Sequence, residues 1–190
     1  MLMNQYRAVT FQGETDARGA EALLDAWTAA ASRAVALEPR DVLAHDSLGY
    51  SDFMRGLRQA RAGEPPEASW ARAIQSLERA IELEPHYPWA LNDLGLVHRW
   101  RGNYQREHGQ DPLPAYAEAE RAFRRAVEGD PKYLFAHSNL AELYAARAAL
   151  LLSRGRDPEA DVQAALEASA QALASTSAST PPTTMPPPRS

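Results

Sequence analysis

The sequence predicts an all-α protein, a solenoid made by stacking antiparallel helix pairs. A 46-residue internal repeat, helix-period apolar stripes inside each copy, and proline and glycine punctuation at matching places predict it. Pro39, Pro85 and Pro131 are spaced by 46 residues, and Pro66, Pro112 and Pro158 repeat that interval. Aligned without gaps, residues 39–84, 85–130 and 131–176 also match at Ala44/Ala90/Ala136, Leu48/Leu94/Leu140 and Arg55/Arg101/Arg147. Further matches are Gly63/Gly109/Gly155, Ala73/Ala119/Ala165 and Ala80/Ala126/Ala172. With the second proline set, and leaving out the Pro39/Pro85/Pro131 column that sets the alignment, seven columns are identical in all three copies, where shuffling this composition gives roughly one.

Residues 1–38 read as an incomplete leading repeat or N-terminal cap. Leu24, Trp27, Ala34 and Val35 fall in the columns of a second helix, whose first helix is missing or degenerate. Such an edge leaves apolar surface uncovered unless residues 1–15 cap it or another copy stacks on it.

Each full copy, 39–84, 85–130 and 131–176, reads as two helices. The first opens near Asp41, Tyr87 or Tyr133, just after a proline that blocks continuation of the preceding helix. It runs about 22 residues to Gly63, Gly109 or Gly155, glycine being suited to the left-handed position past a helix end. Gly56 and Gly102 lie inside this helix, each costing about 1 kcal/mol relative to alanine, so a kink is an option there. Asp111 and Asp157, each followed by proline, fit the cap and first position of the second helix. That helix runs from about Pro66 to Leu83, Pro112 to Glu128 and Pro158 to Ala174. In its first copy Trp70, Ala73, Ile74, Leu77, Ala80 and Ile81 form one stripe, repeated by Tyr116, Ala119, Phe123, Ala126 and Val127. Residues 177–190 belong to a Pro/Ser/Thr-rich stretch with almost no large apolar side chains, expected to be a disordered tail.

Within the middle copy, Ala90-Leu91-Asn92-Asp93-Leu94-Gly95, Gly102-Asn103-Tyr104, Ala119, Phe123, Ala126 and Asp130-Pro131 carry a family signature. The flanking copies agree at Leu48-Gly49, Gly56, Leu77, Glu84-Pro85 and Asn139-Leu140-Ala141. Over residues 20–176 the chain resembles the tetratricopeptide repeat family, which implies that its helix pairs wind into a right-handed superhelix. The family period is 34 residues, so each copy here carries about 12 more. They fall in strong helix formers such as 145–154, which predicts lengthened helices and not a loop. The elongated repeats are similar to those appended to bacterial serine/threonine protein kinases, although a Gly-rich loop, H-R-D and D-F-G are absent from the sequence.

The composition excludes several function classes. The net charge of -5, from 20 basic and 25 acidic residues, argues against a nucleic-acid partner. With no cysteine there is no disulfide, thiolate zinc site or catalytic thiol. No run of 18 apolar residues suggests a membrane span, so the cytoplasm is the expected location. A single lysine, Lys132, beside 37 alanines suggests a GC-rich bacterial source. His45, His86, His98, His108 and His137 show no metal-binding spacing, and no nucleophile–base motif occurs, so no enzyme activity, cofactor or metal is expected. His45 and His137 share a repeat column, which favours packing. The Arg55/Arg101/Arg147 column reads as a structural arginine bonding carboxylates or carbonyls, with a row of ligand-binding arginines as the alternative.

The resemblance implies a non-catalytic module that binds a protein or peptide in a concave groove lined by the first helices. Carried over column by column, the partner-binding residues are Tyr50, Phe53, Met54, Trp89, Asn92, Leu96, Arg99, Trp100 and Phe135. Large side chains off the core stripe mark interfaces. The carboxylate clamp by which some family members hold chaperone tails is not matched, since its lysine column reads Asp46, Asn92 and Ser138. A substrate-recruiting or sensing region of a bacterial kinase and self-association through the open N-terminal edge are the alternatives.

Overall fold

The computed structural model describes residues 17–177, and these form helices α1 (Ala17–Leu37), α2 (Val42–Arg61), α3 (Glu67–Leu83), α4 (Pro88–Glu107), α5 (Leu113–Gly129), α6 (Leu134–Ser153) and α7 (Glu159–Ser177). No strand occurs among the described residues. Residues 1–16 and 178–190, where an N-terminal cap and most of a disordered tail are expected, lie outside them.

The helices pair as α2 with α3, α4 with α5 and α6 with α7, and each pair packs on the next. Gly49 meets Leu77 while Gly56 meets Trp70, so ascending α2 means descending α3 and the pair is antiparallel. Gly95 with Phe123 and Gly102 with Tyr116 repeat the arrangement 46 residues later. The chain is therefore an α-solenoid of antiparallel pairs, with α1 occupying the place of a second helix before the first full pair. There Leu24 and Trp27 are buried, and the Trp27 indole donates to Ser47 Oγ at 2.8 Å.

The punctuation acts as local chemistry requires. Gly63, Gly109 and Gly155 have φ of 74°, 73° and 64°. At each, the glycine N–H bonds the carbonyl three residues back and the next N–H bonds the carbonyl five back, as in Glu64 N to Gln59 O at 2.8 Å. This paired bond closes the helix end with the left-handed residue that glycine tolerates best. At the start of α2 the Asp41 carboxylate accepts the Leu43 N–H at 2.9 Å. Asp157 caps α7 by accepting the Glu159 N–H, also at 2.9 Å. Asp111 departs from expectation: Pro112 stands at the cap of α5, and the Asp111 carboxylate instead accepts from Arg154 at 3.0 Å. That ion pair ties the turn after α4 to the end of α6.

Gly56 and Gly102 do not interrupt their helices. They are needed for closeness: a Cβ on Gly102 would stand 2.5 Å from the Tyr116 ring, and one on Gly56 would overlap the Trp70 indole. Fully buried aromatic side chains on α3 and α5 thus lie directly against the backbone of α2 and α4. The third pair exchanges both sides of this fit, with Ala141 and Ala148 where glycines stood and Ser169 and Val162 where large residues stood. Those four residues line a surface cavity of about 450 Å³.

The repeated histidines and arginines serve the stack. His45 and His137 donate through Nε2 to the carbonyls of Pro39 and Pro131 at 3.0 and 2.9 Å. Where the middle copy has Leu91, Arg125 reaches the Pro85 carbonyl instead, at 3.3 Å. Arg55 bonds Asp25 at 2.8 Å and Thr28 at 3.2 Å on α1. Arg147 spans two helices, holding Glu120 of α5 at 2.6 Å and Asp161 of α7 at 2.8 Å. Arg101 is exposed with no ion-pair partner among the described residues, because the column that supplies Thr28 and Glu120 supplies Ile74 to it.

Candidate functional site

The A-type helices α2, α4 and α6 run side by side, and one face of their N-terminal halves encloses a groove of about 890 Å³. The repeat builds it column by column. Leu43, Trp89 and Phe135 form one row; Ser47, Asp93 and Asn139 form the next; Asp46 and Asn92, then Tyr50 and Leu96, complete the helical contribution. Tyr87 and Tyr133, each immediately before its helix, close the rim.

The aromatic residues form a continuous ladder across two repeats. Tyr87 stacks on Trp89 with ring centroids 5.7 Å apart and planes inclined by 28°. Trp89 meets Tyr133 at 5.4 Å, and Tyr133 meets Phe135 edge-on at 5.7 Å. Tyr133 is buried and supports the row, whereas Trp89 and Phe135 keep 51% and 59% of their surface open to water. Two large aromatic residues with that exposure, next to one another in a concavity, are uncommon on a solvated face. Proline at the first position of α4 fixes the backbone that presents Tyr87 and Trp89 on the same side.

The floor is polar. Asn139 Nδ2 donates to Asn92 Oδ1 at 2.8 Å, and Asn92 Nδ2 donates to Asp93 Oδ1 at 3.1 Å. This chain links α6 to α4 and holds the Asn92 amide, itself buried, in one orientation. One carboxylate oxygen of Asp46, Oδ1, is shut off from solvent and has no hydrogen-bond partner among the described residues. Burial pushes the Asp46 carboxyl up to about 7 from its ordinary 3.8. The Tyr87 phenol is pushed up to about 12, first by burial and then by the negative charges of Asp46, Asp93, Glu84 and Asp41. The lining contains two carboxylates and no basic side chain.

Of the residues singled out from the sequence, Tyr50, Trp89, Asn92, Leu96 and Phe135 line this groove. The other four do not. Phe53, placed on the groove by its column, is 2% exposed and sealed in the core, which corrects its assignment as a partner contact. Met54 and Trp100 are half-buried against the same core. The side chain of Arg99 is 12% exposed and forms an ion pair with Glu142 of α6, tying one repeat to the next. These residues sit farther along the helices, where α2, α4 and α6 pack together. Helical periodicity identifies their face but not whether a neighbouring helix covers it.

Leu43, Asp46, Ser47, Tyr87, Asp93, Tyr133 and Asn139 line the groove as well. The two tyrosines carry a signal in the sequence: an aromatic residue recurs two positions after tyrosine in Tyr87-Pro88-Trp89 and Tyr133-Leu134-Phe135, at the 46-residue interval. Among the described residues no group of His, Asp and Glu has metal-site geometry, and no helix is long and apolar enough to cross a membrane.

Compared with known proteins, the chain matches no family model and no curated protein in sequence. Its structure is similar to solved ones. A crystal structure of MamA aligns with a TM-score of 0.56 at 18% identity, covering 93% of this chain and 77% of that one. A second crystal structure of MamA protein aligns with a TM-score of 0.55 at 18% identity, covering 93% and 72%. The likeness shows the fold, an all-helical solenoid of stacked helix pairs.

Proposed function

We propose that the chain is a non-catalytic interaction module that takes an extended peptide segment of a partner protein into the groove across α2, α4 and α6. The observation that carries this reading is the open aromatic row of Trp89 and Phe135, backed by Tyr87 and Tyr133 and set beside a fixed asparagine pair. Aromatic anchors of this kind supply most of the energy at binding hot spots, and the adjoining amides can pair with a peptide backbone. Replacing Trp89 and Phe135 together with alanine tests it. Both are exposed, so helicity and melting should hold while capture of a partner peptide is lost. Unchanged binding by the double variant refutes the groove.

A second reading, self-association, is favoured by one observation on the last helix. Val162, Leu166 and Leu173 of α7 are exposed large apolar residues, and the first two line the 450 Å³ cavity at the third pair. Stacking would then use this end as well as the N-terminal edge expected from the sequence, part of which lies outside the described residues. Light scattering over a concentration series decides it: a constant monomer mass removes this reading and leaves the groove unaffected.

A further inference from the structure

The groove already assigned to peptide capture contains a feature that a purely apolar ligand would not satisfy. Asp46 lines it together with Tyr87, Trp89 and Tyr133, and one of its carboxylate oxygens, Oδ1, is enclosed with no partner among the described residues. An aliphatic side chain filling the space would leave that carboxylate buried and unpaired, and an anionic one would meet both Asp46 and Asp93. A cation reverses both penalties. It pairs with the carboxylate and gains attraction from the ring faces, which hold cations within about 6 Å of their centroids. The Tyr87, Trp89 and Tyr133 rings touch one another, with centroids 5.7 and 5.4 Å apart, so a guanidinium or an ammonium would lie over the open surface of this row, chiefly Trp89, which is 51% exposed, and not between two rings. The lining itself provides no competing basic group.

We propose that the groove receives a basic peptide, seating one arginine or lysine side chain between the Tyr87–Trp89–Tyr133 rings and the Asp46 carboxylate. This rests on the reading of the groove as a peptide site and specifies what that site selects.

The charge environment supports the assignment. The charges acting on the Tyr87 phenol at this rim are Asp46 within α2, Asp41 at its head, Glu84 in the turn before α4 and Asp93 within α4, and α6 adds Tyr133 to the lining. None is positive, and α1 gives no residue to the lining. Burial alone makes the Asp46 carboxyl hold its proton to about pH 7. A bound cation favours the ionised form, so it expels that proton and binds more tightly as pH rises from about 5 to 8.

The experiment is a selection of a randomised heptapeptide library on the whole chain and, in parallel, on Asp46→Asn and Trp89→Ala. Expected is enrichment of arginine or lysine at one fixed position on the unaltered protein. A selected peptide should weaken about tenfold or more when that residue is replaced by neutral citrulline or norleucine. Asp46→Asn should lose the basic preference with its melting temperature undiminished, which separates loss of recognition from loss of fold. Titration of the selected peptide in buffers of different ionisation enthalpy should report proton release at pH 7, absent in Asp46→Asn. Peptides that depend on Trp89 but show no basic position overturn the cation site and leave the groove reading standing. Enriched peptides indifferent to Trp89→Ala, or no enrichment at all, overturn both.

Discussion

Gly102 of α4 lies bare against the ring of Tyr116 of α5, and the Tyr116 hydroxyl donates to Asn103 Oδ1 at 2.7 Å one residue along. Each half requires the other: the ring reaches the asparagine only because no Cβ stands in its way. The same fit joins Gly56 to Trp70, and it sets how closely the helices of a pair approach.

Alanine at Gly102 should therefore destabilise the protein, although alanine is the better helix former by about 1 kcal/mol. Overpacking against a fully buried ring costs about 1–3 kcal/mol, and we expect the net loss to be positive. Thermal melting compared with Gly102→Ser gives the ranking, since the larger side chain should lose more. A stabilised Gly102→Ala would show that the two helices can slide apart at little cost.

Arg147 and Arg101 occupy one repeat column and should behave differently. Removing Arg147 strands the buried Asp161 carboxylate and takes one partner from Glu120, which keeps Arg124 and Tyr144, and should cost about 2–3 kcal/mol. Removing exposed Arg101 should change stability by less than about 0.5 kcal/mol. Urea denaturation of Arg147→Ala and Arg101→Ala measures the difference. Equal losses would return the column to a uniform role.

Phe53 separates folding from binding. Its ring is buried in the core, so Phe53→Ala should cost about 3–5 kcal/mol. Any fall in partner capture should then track the unfolded fraction, and cooling or stabilising osmolyte should restore it. Trp89→Ala, at an exposed position, should lose capture without that rescue.

Asp46 should make stability depend on pH. Its folded value of about 7 lies above the ordinary 3.8, so between those limits the folded protein keeps a proton that the unfolded chain has released. Stability is greatest below about pH 4 on this account and falls as pH rises through 7. The full shift converts to about 4 kcal/mol, and Asp46→Asn should recover part of it, about 1–2 kcal/mol, because the new amide also needs partners. Melting at pH 4 and pH 8 is the check: the variant should match the unaltered protein at the lower pH and exceed it at the higher.

The sequence by itself determined the architecture and its punctuation. A 46-residue period with helix-spaced stripes admits few arrangements other than stacked helix pairs, because each pair can bury its stripe only on a neighbour. The places of Gly63, Gly109 and Gly155 followed from local backbone chemistry alone. The rim residues Tyr87 and Tyr133 were also legible, as a recurring tyrosine two positions before an aromatic residue. Tertiary structure decided which large side chains on the A-type helices remain open. Phe53 and Trp89 both lie off the obvious core stripe, yet one is sealed and the other exposed. That outcome depends on where neighbouring helices cross, a sum of contacts between residues about 46 apart that no local pattern encodes. The same packing enclosed one oxygen of Asp46 without a partner. Burial is a property of the assembled stack, so the chemistry of the groove exists only once three repeats are side by side.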